Sequence, residues 1–270
     1  MHEFRQYLEE IDLSALIDGS GDISLQEPDI TKMRGHILSG FDRLLSLEGS
    51  CVGKKGLVMA HGPTLLQINK QDYDQHVKIT CNDFHKIEFL NDFVPDFWCG
   101  ANSYDALKEP FEICMDKNID VLISVPRKCE FLKLVDIAER KEKLDLVSPW
   151  LWEIRMLQLM LAKKYKCTQS YSHCNTVTNH MIAFALWLGC APIHIAGFDM
   201  SYIGSREKGG VSHAGYNDST IQVEPFTGQE KAKAIADLRY LCKIARSKNI
   251  KIYNLAHEIN NLPYTLTFKE

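Results

Sequence analysis

The sequence predicts an α/β chain: a Rossmann-like, mostly parallel sheet with helices on both faces, preceded by a helical N-terminal extension. Three observations carry this. Short apolar runs such as 56–60 (Gly-Leu-Val-Met-Ala) and 192–196 (Pro-Ile-His-Ile-Ala) alternate with longer helical patterns, and strands apolar on both sides belong to parallel sheets covered on both faces. The runs end on small or polar residues, as strand-to-helix turns do. Finally, 270 residues at 45% hydrophobic and 24% charged suffice for a full core, which excludes collagen-like, low-complexity and largely disordered classes.

Residues 1–50 read as a helical preface. Phe4, Leu8, Ile11 and Leu16 recur at roughly helical spacing, and over 30–47 the residues Ile37, Leu38, Phe41, Leu44 and Leu45 make one amphipathic face. The Gly-rich stretch 18–22 between them is a turn by composition. The strands expected beyond it are 56–60, 77–80, 96–100, 119–125, 168–172, 192–196 and 250–253. The first is followed by a tight turn, His61-Gly62-Pro63-Thr64, and a helix start at Leu65. Helices are expected over 137–146, 151–164, 179–188 and 229–248, the last with Ile235, Leu238, Leu241, Cys242 and Ala245 on one side. The charge run 139–143 (Glu-Arg-Lys-Glu-Lys) is a solvated helix face. Trp150 and Trp152 are candidates for an acceptor cleft or, by the ordinary habit of tryptophan, for packing.

Lys plus Arg number 31 against 35 Asp plus Glu, a formal net charge of −4. No global basic field exists to hold a phosphate backbone, so nucleic acid is not an expected partner. The nine cysteines form no C-x-x-C and no zinc-finger spacing; scattered single thiols suit a reducing compartment, where they act as small buried hydrophobes. The charged N-terminus has no apolar signal core, and the longest apolar stretch, 182–198, is interrupted by Gly189, Pro192 and His194. A cytoplasmic location is expected.

In a doubly wound sheet, ligands bind beyond the carboxyl ends of the strands. The residues there are Gly62, Pro63 and Thr64; Asn82 and Asp83; Asn102 and Ser103; 172–178; and 197–202. No G-x-G-x-x-G and no G-x-x-x-x-G-K-[ST] occurs, which removes support for a dinucleotide cofactor or a P-loop. A Gly-Pro-Thr turn offers N–H groups and a hydroxyl to an anion, or is a plain strand-to-helix turn. Asn82 and Asn102 present a donor and an acceptor together, suited to a base edge or sugar hydroxyl, or they cap loops. Asn175-Thr176-Val177-Thr178 precedes an apolar helix: one residue is its N-cap, and the helix terminus attracts phosphate or carboxylate.

The richest stretch is 197–216. Asp199 and Tyr202 follow a buried strand, a Gly-rich loop comes next, and Ser212-His213-Ala214-Gly215-Tyr216 closes it. Such a loop suits a site that closes over its substrate. His213 is the general-base candidate because imidazole titrates near neutrality; His61 and His173 compete with it.

These motifs carry a family resemblance. Gly62-Pro63-Thr64-Leu65, Asn82 after the second strand, Pro95-Asp96-Phe97, Ala185-x-x-Leu188-Gly189, Ile193-x-Ile195-x-Gly197-x-Asp199 and Ser212-His213 together resemble the bacterial sialyltransferases of the Campylobacter type. They also resemble the motility accessory factor (Maf-type) flagellin glycosyltransferases, whose Rossmann-like domain is also called hydroxymethylpterin-pyrophosphokinase-like. The similarity runs from about Leu57 to Leu255, so residues 51–270 would be the glycosyltransferase domain and 1–50 lie outside it.

The resemblance implies transfer of a sialic-acid-like (nonulosonic) sugar from a CMP-activated donor to a hydroxyl on a glycan or protein acceptor. It places Gly62, Pro63, Thr64, Asn82, Asn102, Thr176, Thr178, Gly197 and Ser212 along the donor. His213 becomes the base, with Tyr202 and Asp199 beside it. Met200-Ser201 stand where the sialyltransferases carry an aromatic pair, and Cys174 where they carry an arginine; Val177-Thr178 replaces Ser-Gly. The spacing from Gly197 to His213 is closer to the flagellin-type branch. A CMP-sugar brings its own leaving group, so no cofactor or metal is required, although Asp199 is placed to recruit Mg²⁺. Peripheral membrane association and a homo-oligomer are both compatible with this reading. Two other classes stay open: a Mg²⁺-dependent pterin-type pyrophosphokinase, and a non-catalytic nucleotide-binding module.

Overall fold

The computed structural model describes residues 2–10, 27–87, 93–101, 104–124, 128–150, 176–198 and 228–255. Among the described residues, seven strands form a single sheet: β1 (Gly56–Met59), β2 (Val77–Cys81), β3 (Phe97–Gly100), β4 (Asp120–Ser124), β5 (Val147–Trp150), β6 (Ile193–Ala196) and β7 (Ile252–Asn254). Their spatial order is β5-β4-β3-β2-β1-β6-β7, and every pairing is parallel. The chain winds outward from β1 to β5, then returns to the other side of β1 for β6 and β7. That reversal puts a topological switch point between β1 and β6, where an open α/β sheet leaves a crevice.

The helices are α1 (His2–Glu10), α2 (Glu27–Ser46), α3 (Tyr104–Lys117), α4 (Lys128–Arg140), α5 (Val177–Leu188) and α6 (Gly228–Ser247). They cover both faces, as alternation along β3 shows. Phe97 meets Phe184 of α5 edge-on, with ring centroids 5.2 Å apart, and its neighbour Trp98 meets Phe111 of α3 at 6.4 Å. Helix α5 is apolar all round because it is buried all round: every residue from Thr178 to Leu188 is covered, by the sheet on one side and α6 on another. Met33, Ile37, Phe41 and Leu44 of α2 belong to the same core as the sheet, and α2 packs against β5.

Several elements differ from the sequence expectation. The fifth strand of the sheet is Val147–Trp150; residues 168–172, expected there, lie outside the described residues, as does 151–164. Pro149 disguises β5, yet the strand sits at the sheet edge, where a missing N–H on the open side costs nothing. Helix α3 was not anticipated because Pro110 interrupts it, although Leu107, Pro110, Phe111, Cys114 and Met115 repeat at helical spacing and are all buried. The helix expected over 137–146 is α4, ending at Arg140, with a short 3-10 turn at Leu144–Leu146. No α-helix follows β1: Pro63–Gln67 and Lys70–Tyr73 are single 3-10 turns. The charge run at the end of α4 is less solvated than expected. Glu139 pairs with Lys32 and His36 of α2, and Lys141 pairs with Asp116 of α3.

Candidate functional site

At the switch point, β1 and β6 leave the sheet together. Ala60 N–H donates to Ala196 O at 2.9 Å, and Gly62 N–H donates to Gly197 O at 2.7 Å. Gly197 has φ +70°, and a Cβ there would lie 2.2 Å from Ala60 O and 3.1 Å from Gly62 N. Only glycine fits both the dihedral and the space. The two strand ends therefore approach backbone to backbone.

The Gly62-Pro63-Thr64 turn is a poorer anion cradle than its sequence suggests. Gly62 N–H is taken by Gly197 O, Pro63 has none, and Leu65 N–H bonds to Gly62 O at 3.0 Å. The Thr64 side chain is buried. The strand-to-strand tie thus accounts for much of what the turn does.

At the end of β2, Asn82 takes φ +38°, a conformation asparagine tolerates better than most residues. Its side-chain oxygen accepts from Ala101 N–H at 2.9 Å, its carbonyl accepts from Trp98 Nε1 at 2.8 Å, and its own N–H donates to Cys99 O at 3.1 Å. Asn82 therefore clamps the ends of β2 and β3 together. That bond takes one of the two acceptor positions of the carboxamide oxygen. His61, 8% exposed, lies with Nε2 3.8 Å from Cys81 Sγ. Burial, with Asp83 adding to it, pushes the Cys81 thiol up, so this pair is not a thiolate nucleophile beside its base.

Helix α5 runs antiparallel to the strands. Its C-terminal Gly189, in the left-handed region, lies over Val52 and Gly49 near the start of β1, so its N-terminus reaches toward the carboxyl edge. Thr176 is the N-cap, with extended φ and ψ and its hydroxyl oxygen accepting from Asn179 N–H at 3.2 Å. Thr178 is buried. One residue here was not anticipated. Asn179 is fully buried, its Nδ2 donates to Ala234 O of α6 at 3.0 Å, and its Oδ1 has no partner among the described residues. Its signal in the sequence was a lone amide opening an otherwise apolar helix.

Of the site residues expected from the sequence, Gly62, Pro63, Thr64 and Gly197 come together at the switch point, Asn82 stands at the end of the neighbouring β2, and Thr176 and Thr178 lie at the helix terminus. Asn102, Asp199, Tyr202, Ser212 and His213 lie outside the described residues. The sequence carries an Asp-x-Asp, Asp72-Tyr73-Asp74, but both residues are exposed on the turn before β2, at the amino edge of the sheet. Among the described residues there is no group of three or more His, Cys, Asp or Glu side chains able to hold a metal ion. Nor is any described helix long and apolar enough to cross a membrane.

No protein-family model matches the chain, and no curated protein matches it. Among solved structures it is similar to the sialyltransferase CST-II in complex with a trisaccharide acceptor and CMP, at 17% identity and a TM-score of 0.47, over 76% of this chain and 82% of that one. It is also similar to CstII from Campylobacter jejuni in complex with the substrate analogue CMP-3FNeuAc, at 18% and 0.47, over 75% and 82%. A third is an alpha-2,3-sialyltransferase from Campylobacter jejuni in apo form, at 15% and 0.44, over 81% and 84%. At these values the likeness assigns neither a residue nor an activity to this chain.

Proposed function

We propose that this chain is an inverting glycosyltransferase that moves a sialic-acid-like sugar from a CMP-activated donor to an acceptor hydroxyl. The observation that carries it is the close backbone meeting of Gly62 and Gly197 at the switch point. It makes the motif-bearing ends of β1 and β6 neighbours, at the edge toward which the capped N-terminus of α5 also points. The motif set supplies the rest, from Gly62-Pro63-Thr64 through Asp199 to Ser212-His213.

The chemistry asks for little beyond placement and charge. The acceptor O–H gives its proton to His213 as its oxygen attacks the anomeric carbon. The bond from that carbon to the phosphate oxygen breaks on the opposite side, and CMP leaves with the electron pair. One displacement inverts the configuration. Tyr202 and the N-terminus of α5 near Thr176 are assigned to the charge that develops on the departing phosphate. Cys51, Cys81, Cys99, Cys114, Cys190 and Cys242 are buried and free, which suits the reducing, cytoplasmic setting we assign to the enzyme.

Ligand-induced stabilisation tests this directly. CMP at about a hundred times its dissociation constant adds roughly 2.7 kcal/mol to the stability of a protein that binds it only when folded. The expected result is a rise in melting temperature with CMP, and none with NAD or with ATP plus Mg²⁺. A rise with ATP plus Mg²⁺ alone would support the pyrophosphokinase instead, a rise with CMP without any turnover would support the non-catalytic nucleotide-binding module, and no rise with any nucleotide would overturn the proposal. His213→Ala is expected to lower turnover about a hundredfold or more while leaving the CMP-induced shift intact. Unchanged turnover in that variant removes the imidazole from the mechanism.

A further inference from the structure

At the opposite edge of the sheet, two segments far apart in sequence lie side by side. The turn after α2 and the turn after α5 are joined by backbone hydrogen bonds. Gly49 N–H donates to Trp187 O at 3.0 Å and Cys51 N–H to Leu188 O at 2.8 Å. Ala191 N–H donates to Lys54 O at 2.9 Å and Gly56 N–H to Pro192 O at 2.9 Å. Between these bonds sit Cys51 and Cys190, both buried and both free thiols. The Cys51–Leu188 and Ala191–Lys54 backbone bonds flank Cys190 on both sides and set it against the segment 51–54. The packing there is close: a Cβ on Gly56 would lie 3.0 Å from Cys190 Cβ, and one on Gly189 would lie 2.7 Å from a Val52 methyl. Two thiols are thus held together by backbone already fixed in the fold.

We propose that Cys51 and Cys190 are an oxidation site: hydrogen peroxide closes them into a disulfide that staples the α2–β1 turn to the α5–β6 turn. Cys51 is the entry point, because Ser50, Val52, Gly53 and Lys54 around it are exposed, whereas Cys190 is wholly covered. The Cys51 sulfur attacks one peroxide oxygen, giving a sulfenic acid and one water. The Cys190 sulfur then displaces the hydroxyl of that sulfenic acid, forming the S–S bond and releasing a second water. Two thiols are oxidised by two electrons in all, and one peroxide is reduced to two waters. Burial, with Cys51 adding to it, pushes the Cys190 thiol up to about 12. The second step is therefore slow at neutral pH and quickens as pH rises. Cys81 and Cys99 are also neighbours, on paired strands, but both lie within the sheet with no exposed turn beside them.

The test is to treat the reduced full-length protein with hydrogen peroxide, cap remaining thiols with iodoacetamide and map disulfide-linked peptides by mass spectrometry. The expected product joins the peptides holding residues 51 and 190, and dithiothreitol separates them. Because the bond closes a long loop, the melting temperature of the oxidised protein is expected to rise by roughly 5–10 °C. Cys51→Ser, a change in a surface turn, should abolish both the linked peptide and the rise, while Cys242→Ser should keep both. A linked peptide joining Cys81 to Cys99, no linked peptide at all, or a rise that survives in Cys51→Ser would each overturn the proposal. The peptide map on the unaltered protein decides the matter even if a serine variant folds poorly.

Discussion

Gly197 stands where a side chain has no room. Its φ of +70° already disfavours any other residue, and the space a methyl would occupy is filled by Ala60 O at 2.2 Å. The obstacle is backbone in a buried strand end, which cannot swing aside as a flexible side chain would. Gly197→Ala is therefore expected to cost at least about 2 kcal/mol, read as a lower urea midpoint. A variant as stable as the parent would mean that β1 and β6 do not meet as closely as described. The sequence marked Gly197 through its place after an apolar run and before Asp199, yet gave no sign that its first duty is steric. Asn82 is similar. Its type and position were legible, but its bond to Ala101 N–H depends on β3 lying beside β2, which no local pattern announces.

At the scale of elements, what was legible followed hydrophobic period, and what was hidden lay under proline. Helices α2, α5 and α6 have clean apolar patterns and appear close to their expected limits. Pro110 and Pro149 obscured α3 and β5, because proline argues against an element's interior: Pro149 lies on an edge strand, and Pro110 lies inside α3, which forms despite the internal hydrogen bond it loses there. The amino edge of the sheet adds a feature that period cannot show. His76, 7% exposed, has its ring centroid 5.1 Å from that of His194 and 5.0 Å from that of Tyr73, while His194 stacks on Tyr253. Neither ring nitrogen of His76 has a partner among the described residues. Burial, then His194, Lys55 and Lys78, lower His76 from 6.5 to about 4; burial and Lys55 lower His194 as well. Asp96, at 3.9 Å from Lys78 Nζ, is the carboxylate on that side. Because the folded state holds these imidazoles neutral below the pH at which the unfolded chain protonates them, stability is full above about 6.5 and falls as pH drops toward 4. Between pH 7.5 and 5, where most carboxylates stay ionised, His76 alone should cost about 2 kcal/mol. Urea midpoints across that range should fall for the parent and flatten for His76→Leu; equal slopes would mean the ring is solvated.

For the molecule as a whole, the question is whether the first helices are separable from the sheet. The chain order of strands does not reveal that β1 lies at the centre, nor that α2 covers β5 at the far edge. Once the sheet is assembled, α2 is bound to it in several ways. Trp187 Nε1 of α5 donates to Leu44 O at 2.7 Å, Arg43 pairs with Asp120 of β4 at 2.6 Å, and Lys32 reaches Asp136 of α4 at 2.7 Å. The half-exposed ion pairs contribute little. Burial decides the matter. Met33, Ile37, Phe41 and Leu44 are each 0–2% exposed, and at about 1.5–3 kcal/mol per side chain their removal forfeits roughly 6–12 kcal/mol. A domain's whole stability is about 5–15 kcal/mol. A chain beginning at residue 47 would also leave Trp187 Nε1, buried, without its acceptor. Such a truncation is expected to lose cooperative unfolding and to bind a hydrophobic dye at neutral pH, even though the crevice between β1 and β6 lies wholly in the part retained. A truncated chain that melts sharply and matches the parent's CMP-induced shift would show that α2 is a cover laid on a finished core. The four buried side chains argue that it is part of the core itself.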